Sequence, residues 1–114
     1  MDDKTRIAIE ESIKHHLEMQ KWVKSQDMDA HPNKDLMLSK INQNWDGEHC
    51  SLCQLFYRYS SNLEKCANCP LGDAYGICGY VNVKNAWHDL AFASDWKEWL
   101  KADRKLVRQL RSLL

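Results

Sequence analysis

Apolar side chains return at short, regular intervals at both ends of this chain, and the middle breaks that rhythm. Through residues 5–26, Ile9, Ile13, Leu17 and then Trp22 with Val23 recur every three to five positions, with no Gly or Pro. That spacing predicts an amphipathic first helix. Asp2, Asp3, Glu10 and Glu11 lie towards its start and Lys21 and Lys24 towards its end, the distribution the helix dipole favours. Pro32 disfavours helix at His31, so residues 27–32 read as a break. A short second helix follows, with Asn33 as cap and Leu36, Met37, Leu38 and Ile41 expected on its buried side. Residues 42–47 then turn the chain.

The pattern changes beyond Gly47. Leu55-Phe56-Tyr57-Arg58-Tyr59 fits either a short strand or one helical turn. Pro70, Gly72, Gly76 and Gly79 predict an irregular path up to Tyr80. Helical spacing resumes over residues 81–93 through Val83, Ala86, Trp87, Leu90 and Ala91. Asp95 and Glu98 then form a capping-box pair at the head of a last helix, 96–114. At about 100° per residue, Trp96, Trp99, Leu100, Leu106, Val107, Leu110, Leu113 and Leu114 fall on one side of it. Lys97, Lys101, Arg104, Lys105, Arg108 and Arg111 fall on the other. Asp103 lands inside the apolar arc, where a carboxylate is costly unless paired, hydrogen-bonded or exposed.

These elements predict a mainly α protein of three to four helices packed around an irregular Cys-rich, metal-binding loop, with little or no β structure. At 114 residues it is expected to be one domain, 1–114, divided into N-terminal helices (1–44), the Cys-rich loop (45–80) and C-terminal helices (81–114). The formal net charge is zero, which gives no global attraction to nucleic acid or membrane. Its distribution is uneven: residues 1–48 hold ten acidic and seven basic side chains, residues 97–114 two and six. Nothing approaches the roughly 18–20 consecutive apolar residues of a membrane span. The start, Met1-Asp2-Asp3-Lys4-Thr5-Arg6, lacks a secretory apolar run, so a cytoplasmic location with reduced thiols is expected.

All five cysteines fall between positions 50 and 78. Cys50 and Cys53, and twelve residues later Cys66 and Cys69, form two CxxC pairs. Each pair can offer two thiolates to one ion from a tight turn, and two such turns complete a tetrahedral cage. Cys50, Cys53, Cys66 and Cys69 are therefore the preferred ligands. Cys78 and His49 are nearby donors, and Cys53, Cys66, Cys69 and Cys78 are an almost equivalent set. Zinc is the expected ion, and Trp45 is a candidate lid over it. An iron–sulfur cluster is the alternative, since Cys69-Pro70 matches the end of a ferredoxin ligand run, although the compact spacing of that run is missing.

Four sulfurs close the metal shell, which points to structure rather than catalysis. His88-Asp89 alone lacks the partners a metal-dependent nuclease needs, and the CxxC pairs lack the βαβ setting of a redox motif. A protein partner is therefore expected, with nucleic acid as the alternative and no membrane or small-molecule substrate. The contacting residues would be Tyr57, Arg58 and Tyr59 together with Lys101, Arg104 and Arg108. Trp22, Trp45, Trp87, Trp96 and Trp99 are expected in the core, and His15 and His16 as solvated neighbours of the first apolar stripe.

Cys50-Ser51-Leu52-Cys53 with Leu55-Phe56-Tyr57, then Cys66-Ala67-Asn68-Cys69-Pro70-Leu71, Gly76 and Cys78, resembles a family of small Cys-rich phage and prophage proteins. Their pattern is C-x-L-C, an aromatic, C-x-x-C-P, Gly and a last Cys ahead of a leucine-rich helix. The likeness covers residues 45–114. Where that family often has Thr-Pro-Tyr after the last cysteine, this chain has Gly79-Tyr80-Val81. The resemblance implies that the five cysteines act together, which adds Cys78 to the ligand pool. It also implies phage ancestry, hence a regulator or inhibitor of a host protein in the host cytoplasm, and it attaches no specific activity.

Overall fold

Among residues 2–46, 70–75 and 86–114, which the computed structural model of the chain describes, every regular element is helical: α1 (Asp3–Val23), α2 (Lys34–Ile41), α3 (Pro70–Tyr75), α4 (Ala86–Ala91) and α5 (Trp96–Ser112). The mainly α fold expected from the spacing is observed. The five cysteines and Tyr57, Arg58 and Tyr59 lie outside the described residues.

Local chemistry sets the helix ends. Asp2 Oδ1 accepts the Thr5 N–H at 2.7 Å to open α1, and Asn33 Oδ1 accepts the Leu36 N–H at 3.0 Å to open α2. Each such cap is worth about 1 kcal/mol. α2 stops at Asn42, which takes the left-handed conformation (φ 58°) and donates its N–H to Leu38 O. Asparagine tolerates that geometry better than other side-chain-bearing residues. Residues 70–75 are helical rather than irregular as the glycines suggested. Pro70 stands at the first helical position, where a missing N–H removes nothing the helix would use.

α5 packs against both α1 and α4. From α1 the core receives Ala8, Ile9, Ile13, Met19 and Val23; from α5 it receives Trp96, Trp99, Leu100, Ala102, Leu106, Val107 and Leu110. Trp45, Trp96 and Trp99 meet edge to face with ring centroids 5.4–5.8 Å apart, and Trp22 joins through Trp96. Trp22 and Trp87 are partly buried against the same core, so all five tryptophans go where the spacing placed them. Leu17 is 41% exposed, and Leu36 and Leu38 are exposed as well. Only Met37 of α2 is buried. An eight-residue helix lying on a surface seats one row of side chains, and the residues flanking Met37 point about 100° to either side of it.

The segment between α1 and α2 holds the start of α5. Ala30 O and Met28 O accept the N–H groups of Trp96 and Lys97, Asp95 Oδ1 accepts that of Glu98, and Asp95 O that of Trp99. The amides of residues 96–98, which a helix start leaves without an internal partner, are thus satisfied, and that of Trp99 makes the first bond within the helix. The expected capping box is present in altered form. Glu98 Oε2 reaches back to the N–H and hydroxyl of Ser94 rather than to Asp95.

Candidate functional site

Three places carry chemistry: a buried polar cluster, the flanks of the cysteine segment, and an open groove beside α5.

The cluster explains Asp103. Its carboxylate is fully buried; Oδ1 lies 2.5 Å from His16 Nδ1, and Oδ2 accepts from Gln20 Nε2 at 2.7 Å. The expectation that His16 is solvated is therefore overturned. Its ring is fully buried and edges onto Trp87. At 100° per residue, position 16 falls at the centre of the face defined by Ile9, Met19 and Val23, whereas Leu17 has rotated away from it. His15 is half-buried and bonds Gln43, whose amide in turn donates to Glu18 Oε2. This strap ties the exit of α2 to α1. Met19, beside these histidines in sequence, is buried in the core, and no group of three or more metal-binding side chains gathers among the described residues.

The cysteine segment is held at its borders. Trp45, five residues ahead of Cys50, is buried against Trp96 and Trp99, and Lys34 Nζ stands 5.7 Å from its ring centre. Leu71, two residues after Cys69, is buried in the same core, and the Tyr75 and Ser112 hydroxyls are 2.6 Å apart. Beyond Cys78, the Ala86 N–H donates to buried Gln109 Oε1 at 2.9 Å. All three borders thus enter the core, Ala86 included, and the third is also hydrogen-bonded to a buried side chain of α5. Whether Trp45 also covers sulfur is a matter of residues outside those described.

The groove lies between α4 and α5, with a volume of about 510 Å³. Lys101, Lys105 and Arg108 line it from α5, His88 and Asp89 from α4, and Phe92 from just beyond α4. Phe92 is 72% exposed, and its ring leans on His88 at 4.9 Å between centroids. Asp89 pairs with Lys105 at 3.8 Å, and His88 and Asp89 are both part of this surface. Glu98 closes one end of the groove. Bonds from the Ser94 amide and hydroxyl hold its carboxyl below the usual carboxylate range.

Of the contact residues expected from sequence, Lys101 and Arg108 share this groove; Arg104 is exposed on α5 without lining it. Phe92 was not among them. The period did contain it, because continuing the helical rotation of α4 puts position 92 about 160° from Leu90 and about 120° from Ala86, both buried. No helix among the described residues is long and apolar enough to cross a membrane. The chain matches no family model, and neither a curated protein nor a solved structure matches it.

Proposed function

We propose that this chain is a small non-enzymatic protein-interaction domain whose middle is stapled by a structural zinc ion. The observation that carries this reading is Phe92, 72% exposed at the edge of a groove lined by Lys101, Lys105 and Arg108. Every tryptophan is spent on the core or packed against it. Aromatic and arginine side chains are enriched at interface centres, and Phe92 and Arg108 are taken as such a pair. The zinc would be held by four of Cys50, Cys53, Cys66, Cys69 and Cys78, with Cys50, Cys53, Cys66 and Cys69 preferred. Support comes from the donor chemistry and from the border residues Trp45 and Leu71, both buried. A four-thiolate shell leaves no open position for substrate. Phage ancestry, with a host protein as target in the host cytoplasm, completes the proposal on the cysteine-pattern resemblance.

Affinity capture from host lysate, comparing the native protein with Phe92→Ala, tests the interaction. The native protein should retain a partner that the variant loses. Elemental analysis of protein purified without oxygen tests the ion. Zinc gives a colourless protein with one metal per chain, whereas an iron–sulfur cluster gives a brown one. A nucleic-acid-binding module is the second reading, favoured by the row of exposed cations along α5, Lys97, Lys101, Arg104, Lys105, Arg108 and Arg111. A salt-dependent oligonucleotide shift, weakened by Lys101→Ala, Arg104→Ala and Arg108→Ala, would favour it.

A further inference from the structure

The charge balance in the α4–α5 groove narrows what it can hold. Three cationic side chains, Lys101, Lys105 and Arg108, face two carboxylates, Asp89 and Glu98. Lys105 is engaged by Asp89, and Lys101 lies near enough to Glu98 to influence its charge. Arg108 has no ion-pair partner among the described residues. A run of phosphates would meet both carboxylates as well as the cations, a poor match for a polyanion. One or two isolated carboxylates suit the groove better. Guanidinium presents a planar fork that a carboxylate fills with two hydrogen bonds. Beside it, the Phe92 ring and the Ala102 methyl offer apolar surface. The volume of about 510 Å³ lies within the roughly 300–1,000 Å³ of clefts that seat small ligands or a few side chains.

We propose that this groove docks an acidic peptide segment of a partner protein, with an apolar or aromatic side chain against Phe92 and an adjacent Asp or Glu carboxylate on Arg108. This rests on the protein-interaction reading above and adds the chemistry of the partner.

The probe is a short fluorescein-labelled peptide in which Asp and Glu flank a central Trp, titrated against the full-length protein. Saturable binding is expected, weakened by added salt and by about tenfold or more in Phe92→Ala and in Arg108→Glu. Arg111→Glu, a charge reversal on α5 outside the groove lining, should bind as the native protein does. Circular dichroism checks that each variant keeps its helices. Equal affinity of the native protein, Phe92→Ala and Arg108→Glu overturns the proposal. So does preference for a single-stranded oligonucleotide over the peptide. Self-association abolished by Phe92→Ala would make the occupant a second copy, through the exposed carboxylates of α1, Glu10, Glu11 and Glu18, beside Ile7, which is 52% exposed, and overturns it too. If the peptide fails while Phe92→Ala still loses its captured partner, only the acidic chemistry is wrong. A captured partner indifferent to Phe92→Ala overturns the interaction reading itself.

Discussion

Asp103 survives within an apolar stripe because α1 brings two donors to its height. His16 and Gln20 sit four residues apart, one turn of the helix, and each takes one carboxylate oxygen. Asp103→Ala leaves both polar side chains facing a void, and should cost about 3 kcal/mol in chemical denaturation. A double-mutant cycle with His16→Ala should give a coupling of roughly 0.5–3 kcal/mol; strict additivity would show that the contact contributes nothing specific. The exposed carboxylates act differently. Asp2, held by the Thr5 hydroxyl and amide, and Glu98, held by the Ser94 amide and hydroxyl, both titrate below their ordinary values. Their stabilisation is complete above the ordinary carboxylate range and is lost as pH falls through the depressed values. Glu98→Gln should therefore lower stability modestly at neutral pH and flatten the acid limb of the stability–pH profile, so that the native and variant curves converge at low pH.

At the level of elements, α5 was legible because its pattern is long and its caps are chemical. Asp95 and Glu98 mark its start, and the apolar and cationic positions separate cleanly around the wheel. α1 was legible as a helix but not as a face. Counting in steps of four from Ile9 to Ile13 to Leu17 drifts by about 40° per step, so the stripe slides off the buried side within two steps. The true face takes in Thr5, Ser12, His16 and Gln20, polar residues that a hydrophobicity count passes over. Phe92 was passed over because it falls outside the apolar positions 83, 86, 87, 90 and 91 that mark the helical spacing, and its exposure follows from an angle about 160° from Leu90. The cysteine pairs were legible as donor chemistry, and their geometry rests on residues outside those described. Two element ends allow direct tests. Asp95→Ala should cost about 1 kcal/mol as a lost cap. Asn42→Val should cost roughly 1–2 kcal/mol, because a β-branched side chain resists φ 58°, whereas Asn42→Gly should be close to neutral.

For the whole molecule, the α1–α5 interface draws on residues 5–23 and 96–110, well outside the cysteine segment. Stripping the proposed zinc with a chelator should therefore lower the thermal midpoint clearly while much of the helical circular-dichroism signal remains at low temperature. Collapse of that signal would mean that the helices depend on the ion throughout.

The pairing of His16 with Asp103 spans 87 positions and has a consequence for synthesis. α1 leaves the ribosome well before α5, the helix that covers it. Until then Ile9, Met19 and Val23, all fully buried in the finished protein, have no lid. Ribosomes stalled shortly before Trp96 should therefore hold a nascent chain that recruits chaperones and is cut readily by protease, and emergence of Trp96–Ser112 from the ribosome should end both.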